Sequence, residues 1–205
     1  MYIPEFNRIE DHLAWAFVRE YPFALLVSNS QSGPFATHVP VLARKDEDKL
    51  VLIGHLAKAN PHWKLLEKEP ETLVIFHGPH AYISPSLYEN PESVPTWNYA
   101  AVHAYGRASV FWEAERLKAA LVETIETFDA TYSDQWKALR EQYRTGMLKH
   151  IVGFEIAVER LEGKFKLSQN RSKRDQAKII QSLQGNQEST VRDVARLMKD
   201  LGLGS

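Results

Sequence analysis

The feature that most constrains this chain is a series of short β-like runs set close together. They are FALLVS (23–28), FATHVPVLA (35–43), KLVLIGH (49–55), TLVIFHG (72–78), HAYIS (80–84), the long WNYAAVHAYGRASVFW (97–112) and IVGFEIAVERL (151–161). In the last, Val152, Phe154, Ile156 and Val158 share one face, the period-2 alternation of a half-buried strand. Turn signals separate the early runs: NSQSGP and the charged RKDEDK (44–49). Six or seven short strands so spaced predict a mainly β fold with appended helices, either a small antiparallel barrel or an α+β sandwich. The run at 97–112, one long strand or two with a bulge permitted at Gly106, favours the barrel, because it can pair on both sides and leave no flat edge.

Helical signals fall between and after these runs. Asn7 with Glu10 resembles a capping box, and Ile9, Leu13 and Phe17 share a face, which predicts a helix over 7–20. Asn60–Pro61 marks a second, short helix start. Leu117, Leu121, Ile125 and Phe128 predict an amphipathic helix from Glu113 to about Thr131, and another piece surrounds Trp136–Tyr143. Two more segments, 173–184 and 189–201, close the chain. The expected organisation is a barrel over 1–170 and a basic helical segment over 171–205 packed on it.

Composition narrows the functions. The 205 residues hold no cysteine, so a disulfide scaffold, a thiolate metal site and a cysteine nucleophile are excluded, and a reducing cytoplasm is the expected compartment. MYIPEFNRIEDHL lacks the basic and apolar regions of an export signal, and no run is long enough to span a bilayer, so no membrane partner is expected. A net charge of −1 argues against wholesale polyanion binding. Residues 171–205 nonetheless carry seven Lys or Arg against four Asp or Glu, a local excess of +3.

Eight histidines invite a metal, but HGPH (77–80) lacks helical zinc spacing and a nearby carboxylate; backbone-satisfying strand-end histidines are the simpler reading. The chain has no G-x-S-x-G elbow, no G-x-G-x-x-G and no Walker pattern. Residues 76–112 instead accumulate aromatics: Phe76, Tyr82, Tyr88, Trp97, Tyr99, Tyr105, Phe111 and Trp112. Alternation sends about half to the far face, where a partner subunit or a planar ligand would cover them. In GHLAKANPHW (54–63), His55 and Lys58 stand between a strand and a helix entrance, where anions are attracted. Flat aromatic surface plus a cationic corner suits a mononucleotide cofactor; Lys58 taken alone reads as a solvated lysine.

GHLAKANPHW, FHGPHAYISPSLY, VPTWNYAAVHAYGR and GFEIAVERLEGKFKLSQNR, with YPFALLVS and GPFATHVP in the same order, resemble the PaiB-type FMN-binding negative transcriptional regulators over about residues 1–184. The resemblance implies an FMN-binding split barrel of the pyridoxamine-phosphate-oxidase-like kind, a homodimer with flavin at the subunit interface. It implies phosphate contacts from His55, Lys58 and Asn60, with Thr37 and His38 on the neighbouring strand. Trp97, Asn98 and Tyr99 would border the ring system, and Gln169, Asn170 and Arg171 would reach the pocket. Three functions follow as expectations: a flavin-binding repressor, an FMN-dependent oxidoreductase of a small molecule, and a haem-binding or haem-degrading protein. No strong acid or base stands out for turnover; His38, His80 and His103 are the candidates. Any direct DNA contact would fall to the basic tail, whose STVRDVARLMKDLG faintly resembles the second half of a helix-turn-helix. The apolar stripe Val191, Val194, Leu197, Met198 and Leu201 argues instead that this segment docks on the barrel.

Overall fold

The computed structural model describes residues 1–46 and 49–205; the centre of the charged turn expected at 44–49, Glu47 and Asp48, lies outside the described residues. Seven strands, β1 (Phe23–Ser30), β2 (Gly33–Pro40), β3 (Leu42–Asp46), β4 (Lys49–Ala57), β5 (Glu71–Ile83), β6 (Thr96–Phe111) and β7 (Ile151–Lys166), form one sheet in the order β2-β1-β5-β6-β7-β4-β3. The helices are α1 (Asp11–Glu20), α2 (His62–Lys68), α3 (Ala114–Phe128), α4 (Ser133–Ala138), α5 (Glu141–Leu148), α6 (Lys173–Gln184) and α7 (Ser189–Asp200). The chain divides into two compact units.

The first unit, Val18–Phe76 with His103–Leu161, contains all or part of every strand. β2 and β3 stand at opposite ends of the strand order, yet only Val41 separates them in the chain. Ends of a sheet joined by one residue must meet, so the sheet closes into a barrel. Val41 is the corner: its N–H donates to Pro22 O at 2.9 Å, outside the ladder. The single run expected at 35–43 is therefore two strands, and an apolar corner residue hid the break. β1 and β2 form a hairpin from Ser30↔Gly33, with Gly33 at φ +116°, a conformation that favours glycine. Leu26, Leu52, Val74, Phe76, Phe154 and Ile156 fill the core. A second cluster, Leu42, Ile53 and Phe111 with Leu117, Ala120 and Leu148, seats α3 and α5 on the barrel strands.

The second unit comprises Met1–Phe17, His77–Val102 and Glu162–Ser205. Here the expected helix over 7–20 begins only at Asp11. Residues 8 and 9 are drawn into strand contacts, Arg8 bridging Lys164 and Ile9 N–H donating to Gly163 O at 3.3 Å, so Asn7 sits in a single 3-10 turn instead of capping a helix. β5 runs unbroken where two strands, 72–78 and 80–84, were expected, and β7 continues to Lys166, five residues past the expected end. α6 is capped by Ser172, whose Oγ accepts from Asp175 N at 3.1 Å. Ile179 and Leu183 of α6 are buried, as are Val194, Leu197 and Met198 of the expected stripe on α7, whereas Val191 and Leu201 are half-buried. No helix among the described residues is long and apolar enough to cross a membrane.

Candidate functional site

In the barrel unit β4 ends at Ala57 and α2 begins at His62, so Lys58–Pro61 form the crossing between them. Lys58 N–H donates to His150 O at 2.8 Å, and Asn60 N–H closes a turn on Ala57 O at 2.8 Å. Asn60 Oδ1 accepts from His62 N at 3.0 Å. That bond orients the Asn60 amide and makes its Nδ2 the donor to Thr37 Oγ1, 3.2 Å away. Thr37 Oγ1 also hydrogen-bonds His62 Nδ1 at 2.8 Å. The ring's other nitrogen, Nε2, is hydrogen-bonded to Ser28 Oγ at 3.1 Å, and Ser28 meets Thr72 Oγ1 at 3.0 Å. These hydroxyl partners suit a neutral imidazole, one nitrogen donating and the other accepting.

Electrostatics agree. His62 is fully buried, edge-on to Phe35 with ring centroids 5.0 Å apart, and burial pushes its pKa down to about 4. His55, half-buried on β4, is also held below its ordinary value by burial. Both rings are therefore neutral at pH 7.

Lys58 is different. Its side chain is exposed, with Nζ 5.4 Å from the centre of the Trp112 ring, and Trp112 meets Trp63 edge-to-face at 4.9 Å. Trp63 Nε1 donates back to Lys58 O at 3.0 Å. Among the described residues no carboxylate pairs with Lys58. The crossing thus presents a free ammonium beside two indoles, held rigid by a buried polar network.

Of the residues expected at a site, Thr37 and Asn60 are in direct contact, joined through His62. His38 points outward on β2 and stacks on Phe23, centroids 6.1 Å apart. In the second unit, Asn98 is fully buried and accepts from Ser168 Oγ at 3.0 Å, while its Nδ2 faces Met198 Sδ at 3.8 Å. Trp97 is exposed beside His80 and Tyr82, each ring 6.0 Å from its own. Gln169 turns back on its own chain: Oε1 accepts from Leu167 N at 2.7 Å and Nε2 donates to Phe165 O. Arg171 lies over the Tyr88 ring at 3.9 Å, and Asn170 lines the same cavity. His62 and Ser28 did not stand out in the sequence. The one local signal was position: His62 follows Asn60 by two residues, the spacing at which an Asn side chain captures a backbone N–H.

The flavin phosphate needs donors and a cation, and the tricyclic ring needs apolar faces. Lys58, His55 and Asn60 with Trp63 and Trp112 match that set chemically. No group of three or more His, Cys, Asp or Glu capable of holding a metal occurs among the described residues; the His77 and His80 rings meet edge-to-face, centroids 5.1 Å apart, and His80 neighbours Trp97.

Comparison with known proteins gives the same direction. A family model described as "Putative FMN-binding domain" matches residues 1–160. The protein named "Protease synthase and sporulation protein PAI 2" of Bacillus subtilis (strain 168) is 39% identical over 203 residues, spanning 98% of this chain and 97% of that one. Among solved structures, the FAD and heme binding protein of Mycobacterium smegmatis superposes with a TM-score of 0.63 at 12% identity, over 79% of this chain and 74% of its own. The flavocytochrome Anf3 of Azotobacter vinelandii gives 0.62 at 15% identity, over 78% and 69%. At such identities the likeness is one of fold, the split barrel. The family match brings FMN as the cofactor. Because that match runs through the whole of the Gly54–Trp63 crossing and nearly all of the barrel, the chain belongs to the PaiB-type FMN-binding family.

Proposed function

We propose that the protein is a flavin-dependent negative regulator of gene expression, acting as a homodimer, with the FMN phosphate held by Lys58, His55 and Asn60. The observation that carries this reading is the unpaired Lys58 ammonium beside Trp112, on a crossing that the Asn60–Thr37–His62 network keeps in place. Thr37 acts through Asn60 and His62, and His38 lies on the outer face of the same strand. When bound, FMN supplies one- or two-electron chemistry. The protein's residues bind and orient the cofactor.

The similarity to PAI 2, whose name ties it to protease synthesis and sporulation, supports the regulatory role. Binding is favoured over turnover because both nitrogens of the buried His62 imidazole are committed to structural hydrogen bonds. A second copy would cover the exposed strip of Tyr82, His80 and Trp97.

An absorption spectrum of the purified protein tests the cofactor: flavin bands are expected, and a Soret band would replace the reading with haem. Light scattering at micromolar concentration should give a dimer; a clean monomer would remove the interfacial site. NAD(P)H should be oxidised no faster than by free FMN, and sustained turnover would make the protein an oxidoreductase.

A further inference from the structure

The second unit contains a cavity of about 320 Å³ whose lining is unusual in its charge. Lys164, Lys166 and Arg171 line it together with Asn7, Tyr88 and Asn98, and no Asp or Glu among the described residues does. Lys164 is only 8% exposed; its Nζ donates to Tyr2 O at 3.1 Å and lies 5.3 Å from the Tyr99 ring. Lys166 Nζ donates to Trp97 O at 2.8 Å and to Thr96 Oγ1. All its protein partners are thus neutral. Burial, and then the neighbouring Lys164, hold the Lys166 pKa below the ordinary lysine value. Two lysines crowded without a counter-charge call for an anion.

One further atom points the same way. The Tyr88 hydroxyl is buried, has no hydrogen-bond partner among the described residues, and belongs to a residue lining this cavity. Tyr88 is 7% exposed. A buried hydroxyl without a partner is costly unless something fills its place. The Arg171 guanidinium, 3.9 Å above the Tyr88 ring, brings its charge to the same wall. Beside it Ser168 holds φ +63°, a left-handed conformation rare for a residue with a side chain; its carbonyl accepts from Arg171 N at 3.0 Å.

We propose that this cavity binds a small organic oxyanion, a carboxylate or phosphate on a compact aromatic body, as a ligand distinct from the flavin. Lys164, Lys166 and Arg171 supply the charge and the Tyr88 hydroxyl donates the orienting hydrogen bond. Tyr2, Phe6 and Val94 receive the apolar part. The separation from flavin rests on the placement of the FMN phosphate at Lys58.

The test is calorimetric titration of the FMN-loaded protein with phenyl phosphate and benzoate, and with benzyl alcohol as the neutral match. Flavin fluorescence is read throughout. An anion should bind and the alcohol should not. Tyr88→Phe removes only the unpartnered hydroxyl, so the melting temperature should hold or rise while anion affinity falls roughly 10-fold or more. Lys166→Gln should weaken the anion similarly, and neither change should release FMN. Lys58→Met should leave anion binding as it was. Absence of binding by either anion up to about 10 mM would overturn the proposal. Equal binding by wild type and both cavity variants would do the same. Release of FMN by Tyr88→Phe would show that the cavity holds the flavin's own phosphate. If Lys58→Met retains FMN while the cavity variants lose only the anion, the cavity stands and the flavin placement falls.

Discussion

His62 Nδ1 lies 2.8 Å from Thr37 Oγ1, and this bond ties β2 to the entrance of α2. Asn60 Nδ2 donates to the same oxygen, 3.2 Å away. The folded pKa of His62, about 4, lies below the ordinary 6.5 because the ring is buried. A depressed folded value means that the unfolded chain takes up a proton between pH 6.5 and 4 that the folded one refuses. The stability is therefore complete above about pH 6.5 and falls as pH is lowered towards 4, by at most about 3 kcal/mol. His62→Gln keeps a donor and an acceptor but titrates nothing. Urea melts of both proteins from pH 7 to 4.5 should show the wild-type advantage shrinking; parallel curves would mean His62 stays neutral in both states or is protonated in both.

Lys58→Met tests the cationic corner. It removes the ammonium and keeps the stem against Trp112. A charge-assisted hydrogen bond contributes roughly 1.5–3 kcal/mol, so FMN affinity should fall about 10- to 150-fold. Riboflavin lacks the phosphate and should bind as before. The exposed position predicts an unchanged melting temperature. Equal losses for both ligands would place Lys58 against the ring system, and no loss would make it a solvated lysine. Flavin fluorescence titration reads all three.

What the sequence made legible was what periodicity encodes locally. α6 was expected over 173–184 and occupies those residues, and α3 and β6 lie where their repeats put them. The failures share a different cause: a distant partner. Asn7 loses its capping role because Arg8 and Ile9 are claimed by β7, more than 150 residues away in the chain. Val41 continues the alternation of its run while serving as a barrel corner. His62 was visible as a histidine, but its partners lie 25 and 34 residues off, at Thr37 and Ser28. Lys164 and Lys166 read as a polar exit from a strand, since nothing nearby in sequence shows that β7 carries them into a cavity.

Gly106 shows the same dependence on a distant strand. A Cβ there would stand 2.2 Å from Ala157 O and 2.9 Å from its carbonyl carbon. Backbone on a paired strand cannot yield as a side chain can, so Gly106→Ala should cost about 3 kcal/mol or more. For a chain of this size that is roughly 6–12 °C in melting temperature. Gly146, in α5, is open by contrast: a Cβ there would meet nothing within 4 Å. Gly146→Ala should therefore stabilise by about 0.5–1 kcal/mol through helix propensity. If both substitutions are neutral by thermal melt, β6 and β7 do not approach this closely.

The last prediction separates the two roles open to α7. Met198 and Val194 are fully buried, whereas Lys178 of α6 and Lys199 of α7 are exposed. If α7 serves to complete the packing of its unit, Met198→Ala should cost about 2–5 kcal/mol, the range for emptying a buried long side chain. Reversing Lys178 and Lys199 to Glu should then leave stability within about 0.5 kcal/mol of wild type. The same double reversal is the sensitive probe of DNA binding. A lysine that neutralises a phosphate strengthens binding at every sequence, and its removal lowers the salt dependence by about one unit of slope. For a docked helix, binding to promoter fragments should match wild type at each salt concentration, while Met198→Ala lowers the melting temperature. A reversed variant that melts normally but loses affinity and salt slope would instead put the outer face of these helices on the DNA backbone.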